Sequence, residues 1–176
     1  MKVPQPDPLD AAKAYVEMMK KSQAVEAFDL FWDPQSTARA IYRDRWDQIP
    51  ESERRRCVEL LDAYLRPFMT SDELVRGMID GSVSGFRDKK RFDSTVDVSY
   101  KWTLGDREAA PILRMARTTD GWKIFDKRSG GSSVVDTLRE QLRKMADNTG
   151  PVVFVRQLQA DARLDAEDQQ NAAPGR

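Results

Sequence analysis

Histidine is absent from this 176-residue chain, and cysteine occurs once, as Cys57. Without histidine the commonest general base and the commonest metal ligand are both missing, so the usual serine triad cannot be assembled. A lone cysteine excludes an internal disulfide, and a bridge-free protein is allowed in either redox compartment. Net charge is lacking too, since 29 Lys and Arg balance 29 Asp and Glu. That balance argues against a nucleic-acid partner, because phosphate binding draws its affinity from an excess of basic groups. The one basic cluster, Arg54-Arg55-Arg56, sits among Glu51, Glu53 and Glu59 and reads as a solvated helix face. No run approaches the ~20 apolar residues of a membrane helix. Residues 1–10 are proline-rich and polar with no apolar stretch, so no signal peptide is visible. A cytoplasmic protein, or a mature exported domain whose leader has been trimmed, fits that start.

What is present divides the chain by period. A length of 176 residues suits one sizeable core. Residues 1–8 read as an extended lead-in, with Pro8 in the first turn of a helix over 9–21 whose Ala12, Tyr15, Val16 and Met19 share a face. Phe28, Phe31 and Trp32 form an aromatic knot, after which Asp33 caps a helix from Pro34 toward Trp46. The strongest helical stripe, Cys57, Val58, Leu61, Leu65, Phe68 and Met69, predicts a helix over 50–69 that Pro67 kinks or stops. Ser71 caps a short helix over 72–79.

Beyond these, the period falls to two. Val96, Val98, Tyr100, Trp102 and Leu104 alternate with polar residues, 112–118 forms the next strand, and Asp120-Gly121 turns into a strand over 122–126. A three-stranded antiparallel meander results, with a candidate fourth strand at 82–86. Gly130-Gly131-Ser132-Ser133 then bends into an amphipathic helix over 134–145, with Ser133 as its cap and Asp136 in its first turn. A further helix spans 152–158. From residue 160 the composition is Asp, Ala, Gln and Arg, which predicts a frayed tail over 160–176.

Catalytic material is sparse. Ser132 and Ser133 follow a glycine pair but do not lie between glycines, the histidine of a nucleophile elbow is missing, and the glycine bend lacks the lysine that completes a phosphate loop. Asp97 or Asp126 could serve as a buried base in a small cradle-shaped enzyme, although alternation points Asp97 to solvent. No metal-ligand spacing occurs, and no cofactor is expected. Four tryptophans and seven phenylalanines leave apolar surface as the functional material. A sheet backed by helices either closes on such residues as a filled core, giving a binding or scaffold domain, or stays open as a cleft.

The unit Gly121-Trp122-Lys123-Ile124-Phe125-Asp126, followed by Gly131, Ser133, Val135 and Arg139, resembles the signature of the MlaC-type phospholipid-binding proteins, also called the toluene-tolerance family. Phe28-Asp29, Trp46, the run from Glu51 to Arg56, Val58-Glu59-Leu60-Leu61 and Tyr64-Leu65 are similar to an earlier segment of the same family, so the likeness covers about 24–158. The chain departs from the pattern at Ser129 and Ser132, where the family has hydrophobic residues, at Cys57 in a Phe-type helix position, and at Thr137-Leu138 in place of Asn-Tyr. The resemblance implies an α+β fold, helices wrapped around a curved antiparallel sheet, in one domain over 9–159. It implies a soluble, non-enzymatic lipid carrier in the periplasm that passes phospholipid between an outer-membrane lipoprotein complex and an inner-membrane transporter of the ATP-binding-cassette class. The residues expected to line its pocket are Trp46, Leu61, Leu65, Phe68, Val98, Tyr100, Trp102, Leu113, Met115, Trp122, Ile124, Val135 and Leu138.

Overall fold

The computed structural model describes residues 7–172. Helix α1 (Pro8–Lys20) begins where Asp7 accepts the Leu9 amide at 2.9 Å, and it buries the expected face of Ala12, Tyr15, Val16 and Met19. The aromatic knot is itself a helix, α2 (Ala24–Phe31), and Trp32 just beyond it stacks on Phe28 with ring centroids 5.9 Å apart. Asp33 caps α3 (Pro34–Tyr42) by accepting the Gln35 and Ser36 amides, both at 3.2 Å. That helix does not continue to Trp46 as its periodicity suggests. Arg43 takes a φ of 53°, a left-handed conformation that ends the α-helix, and Arg43–Gln48 proceeds as a 3-10 helix that carries Trp46 into the core.

Helix α4 (Glu51–Met69) buries Cys57, Leu61, Leu65 and Met69. Pro67 lies inside its last turn without stopping it. Ser71 then caps α5 (Asp72–Asp80), its hydroxyl accepting the Leu74 amide at 3.3 Å.

The sheet is wholly antiparallel and larger than the meander read from the sequence. Its strands are β1 (Ser82–Lys90), β2 (Val96–Leu104), β3 (Arg107–Ala109), β4 (Ile112–Thr118), β5 (Gly121–Ser129) and β6 (Ser132–Ser133), in the order β1-β2-β4-β5-β6 with β3 paired to β2. Two register shifts bend it. One falls between Ser84 and Arg87, where Gly85 has a φ of 65°, and the other falls at Phe125 in β5. After Gly130 and Gly131, at φ 58° and 81°, the chain enters α6 (Val134–Arg143), and α7 (Pro151–Ala172) follows.

α7 corrects the tail. The segment expected to fray from residue 160 continues as helix to Ala172, although Leu164 is 60% exposed. Residues 1–6 of the lead-in and residues 173–176 lie outside the described residues. Phe154, Val155 and Leu158 of α7 are buried with Leu61 and Leu65 of α4, Tyr15 and Met19 of α1, and the strand residues Val96, Val98, Leu113, Met115 and Ile124. One α+β domain results, with helices wrapped around a curved antiparallel sheet. A parallel bridge from Trp32 to Ile124, with the Asp33 amide donating to the Ile124 carbonyl at 2.8 Å, ties the helical half to β5.

Candidate functional site

Strand β5 carries the determining irregularity. Met115 pairs with Ile124 and Arg114 with Asp126, so Phe125 is an extra residue on β5. Residues directly opposite in an antiparallel ladder share a face, which makes Val98, Leu113 and Lys127 one row across β2, β4 and β5. Met115 stands two residues from Leu113, so Ile124 and Lys127 also share that face. Strict alternation would have put them on opposite sides. The bulge thus aims a lysine at the apolar face of the sheet.

Lys127 and Ser129 line two adjoining clefts. One, of about 320 Å³, has Tyr64, Leu65, Phe68 and Met69 of α4 on one wall and Val134, Thr137 and Leu138 of α6 on the other, with Ser132 and Ser133 beside them. The second, of about 410 Å³, is formed by Leu74, Gly77 and Met78 of α5 against Tyr100, Trp102 and Leu104 of β2, with Ala109 at the end of β3 and Pro111 beyond it, and with Ser71, Glu73 and Arg107 as further polar lining. Both volumes fall in the range of small-ligand sites. Trp102 is fixed in its wall by its indole N–H, which donates to the Gly77 carbonyl at 2.9 Å. Gly81 makes room for it, since a β-carbon there would stand 2.1 Å from the indole nitrogen. Phe68 is 52% exposed at the rim of the first cleft.

Lys127 makes no ion pair or hydrogen bond among the described residues, and burial lowers its pKa from 10.5 to about 8. The apolar walls deprive its ammonium of water without supplying a counter-charge. Elsewhere in the groove burial acts on the phenols, raising Tyr100 to about 12 and Tyr64 in the same direction.

The residues read from the sequence as pocket lining separate into three groups. Leu65, Phe68 and Leu138 face the first cleft, and Tyr100 and Trp102 the second. Leu61, Val98, Leu113, Met115, Ile124 and Val135 are buried in the core and border neither cleft. Trp46 is buried against Tyr42, with ring centroids 6.2 Å apart, and borders a separate polar hollow at the start of α4. Trp122 is half-buried on β5 opposite Arg117. Sequence reasoning missed Lys127, because its facing is a product of the bulge. Ser129 and Ser132 lie on the cleft wall.

Both candidate bases are engaged by partners. Asp126 is fully buried, and its carboxyl accepts from the Ser133 hydroxyl at 2.8 and 2.7 Å and from the Val135 amide at 3.1 Å. It therefore secures the bend into α6, while Ser133 accepts the Asp136 amide at 3.2 Å as the cap. Asp97 lies on the opposite face from Val98, 3.4 Å from both Arg91 and Arg114. Cys57 is buried on α4, its thiol raised to about 12 by desolvation. On Asp97's side of the sheet a polar hollow of about 660 Å³ is lined by Arg39, Arg43, Arg91, Arg114, Arg128 and Arg139 with Asp93 and Asp136. Most of those arginines are already paired to aspartates, as in Arg128 to Asp136 and Arg139 to Asp136, both at 2.9 Å.

No protein-family model and no curated protein matches the sequence. Among solved structures, a phospholipid-binding protein from Ralstonia solanacearum, determined in complex with a phospholipid, superposes with a TM-score of 0.70 over 91% of this chain and 99% of its own. This chain has that protein's fold. Identity between the two is 16%, so the likeness is one of fold, in the arrangement of helices and sheet. The groove around Lys127 is thus described from this chain's own side chains.

Proposed function

We propose that the protein is a carrier that holds the acyl chains of a phospholipid in the paired clefts and moves it between membranes. The observation that carries this reading is the pair of clefts walled by Leu65, Phe68, Leu138, Leu74, Met78 and Trp102, set beside a filled core in a fold shared with a phospholipid-binding protein. The physical need is large. A two-chain lipid in water exposes on the order of 30 methylenes at about 0.8 kcal/mol each, roughly 24 kcal/mol, so unassisted transfer is negligible. Shielding the tails removes most of that cost, and no covalent step or cofactor is required. The resemblance of the signature from Gly121 to Arg139 supports a periplasmic setting, with an inner-membrane transporter of the ATP-binding-cassette class and an outer-membrane lipoprotein complex as the partners.

Native mass spectrometry of protein purified without detergent tests the reading. Phospholipid is expected bound stoichiometrically, and the delipidated protein is expected to take it up again from vesicles. Clean apoprotein from a lipid-rich host that acquires nothing from vesicles would rule the carrier out.

A further inference from the structure

Lys127 is the one lysine common to the linings of the two apolar clefts, and it has no partner among the described residues. A partly dehydrated ammonium with no counter-charge is unfavourable, and no side chain among the described residues pairs with it. The nearest acid on the same strand, Asp126, belongs to the opposite row, facing Arg114, and its oxygens are engaged by Ser133 and Val135. Glu73 and Arg107 line the second cleft, but neither forms an ion pair or hydrogen bond with Lys127. Ser129 adds a hydroxyl beside Lys127 in both clefts, and Ser132 adds another in the first. A cation with adjacent hydroxyl donors, flanked by apolar walls on two sides, is complementary to an acid group from which hydrocarbon departs.

We propose that Lys127 pairs with the acid group of an anionic lipid, so that the groove selects lipids of net negative head over zwitterionic ones. The inference rests on the carrier reading and narrows it to a ligand class. A zwitterionic head carries its own ammonium, which competes with Lys127 for the phosphate and brings a like charge to the groove. An anionic head has no such competitor. The complementary chemistry is an acid at the end of acyl chains, whether the phosphate of a phospholipid or the carboxylate of a fatty acid.

The test compares uptake by the delipidated full chain from vesicles of phosphatidylcholine alone, from vesicles of equal parts phosphatidylcholine and phosphatidylglycerol, and from dissolved oleate. Wild type, Lys127→Met and Lys127→Arg are measured side by side at low salt, with circular dichroism as the check on folding. Wild type is expected to prefer phosphatidylglycerol by roughly tenfold, the scale of one partly buried charge pair. Lys127→Arg should keep that preference, and Lys127→Met should lose it. Equal uptake of both phospholipids by wild type, unchanged in Lys127→Met, would overturn the assignment and leave the carrier standing. Uptake of oleate alone, abolished in Lys127→Met, would keep the acid-pairing role and remove the phospholipid. If no variant takes up any of the three, the carrier reading fails and this inference with it.

Discussion

At the scale of single residues, Asp126 and Lys127 are contrasting cases of a polar group taken from water. Asp126 engages the Ser133 hydroxyl and the Val135 amide with no exposure to solvent, so Asp126→Ala leaves two buried donors without an acceptor. A loss of about 2 kcal/mol is expected, roughly 4–8 °C in Tm for a domain of this size, read by thermal melting. Lys127 is the opposite case. Its folded pKa of about 8 lies below the ordinary 10.5, so between those values the unfolded chain binds more protons and stability rises with pH. The penalty is complete below about pH 8 and is relieved as pH approaches 10.5. Lys127→Met should therefore stabilise the empty protein at pH 7 by roughly 1–3 kcal/mol in urea unfolding, and that advantage should shrink by pH 10.

At the scale of elements, α7 has two halves with different physics. Phe154, Val155 and Leu158 are buried, whereas Asp161, Arg163, Leu164, Asp165 and Glu167 are exposed. The first half is held by burial and the second by continuation of a helix already started, which costs little once nucleated. Truncation after Ala160 should change Tm by less than about 3 °C, the equivalent of roughly 1 kcal/mol, while truncation after Gly150 should leave the chain unfolded by circular dichroism. A large drop from the shorter truncation would show that the outer half packs. The composition from residue 160 onward offers few apolar anchors; what it does not signal is that a well-anchored helix upstream continues to Ala172.

At the scale of the whole molecule, the apolar surface is divided between a core and a groove. The row Val98, Leu113 and Lys127 crosses that division on one sheet face, its first two members in the core and its third at the clefts. Val98→Glu puts a carboxylate where there is neither water nor a partner, and several kcal/mol is a large part of the ~5–15 kcal/mol that holds a domain together. The variant should be insoluble or unfolded in expression and circular dichroism. A folded, lipid-free Val98→Glu protein would instead extend the ligand site to that strand.

By itself the sequence determined the α+β class and most of the helices and strands, though not α2, the 3-10 turn at Arg43–Gln48, the short strands β3 and β6, or the length of α7. The caps at Asp33, Ser71 and Ser133, the stripe along α4 and the alternation from Val96 to Leu104 are local signals, and each appears in the structure where its spacing puts it. Local signals also located the Gly121 to Arg139 unit that carries the family likeness. Only the tertiary structure decided which apolar residues face a cleft. Periodicity identifies the face that leaves water but not whether another element covers it, so Leu113, Met115 and Ile124 could not be told from Leu65, Phe68 and Tyr100. The facing of Lys127 was hidden for a second reason. One extra residue at Phe125 inverts the alternation of everything after it, and a bulge is fixed by pairing with Met115 and Arg114 on the neighbouring strand, a contact that β5's own sequence does not record.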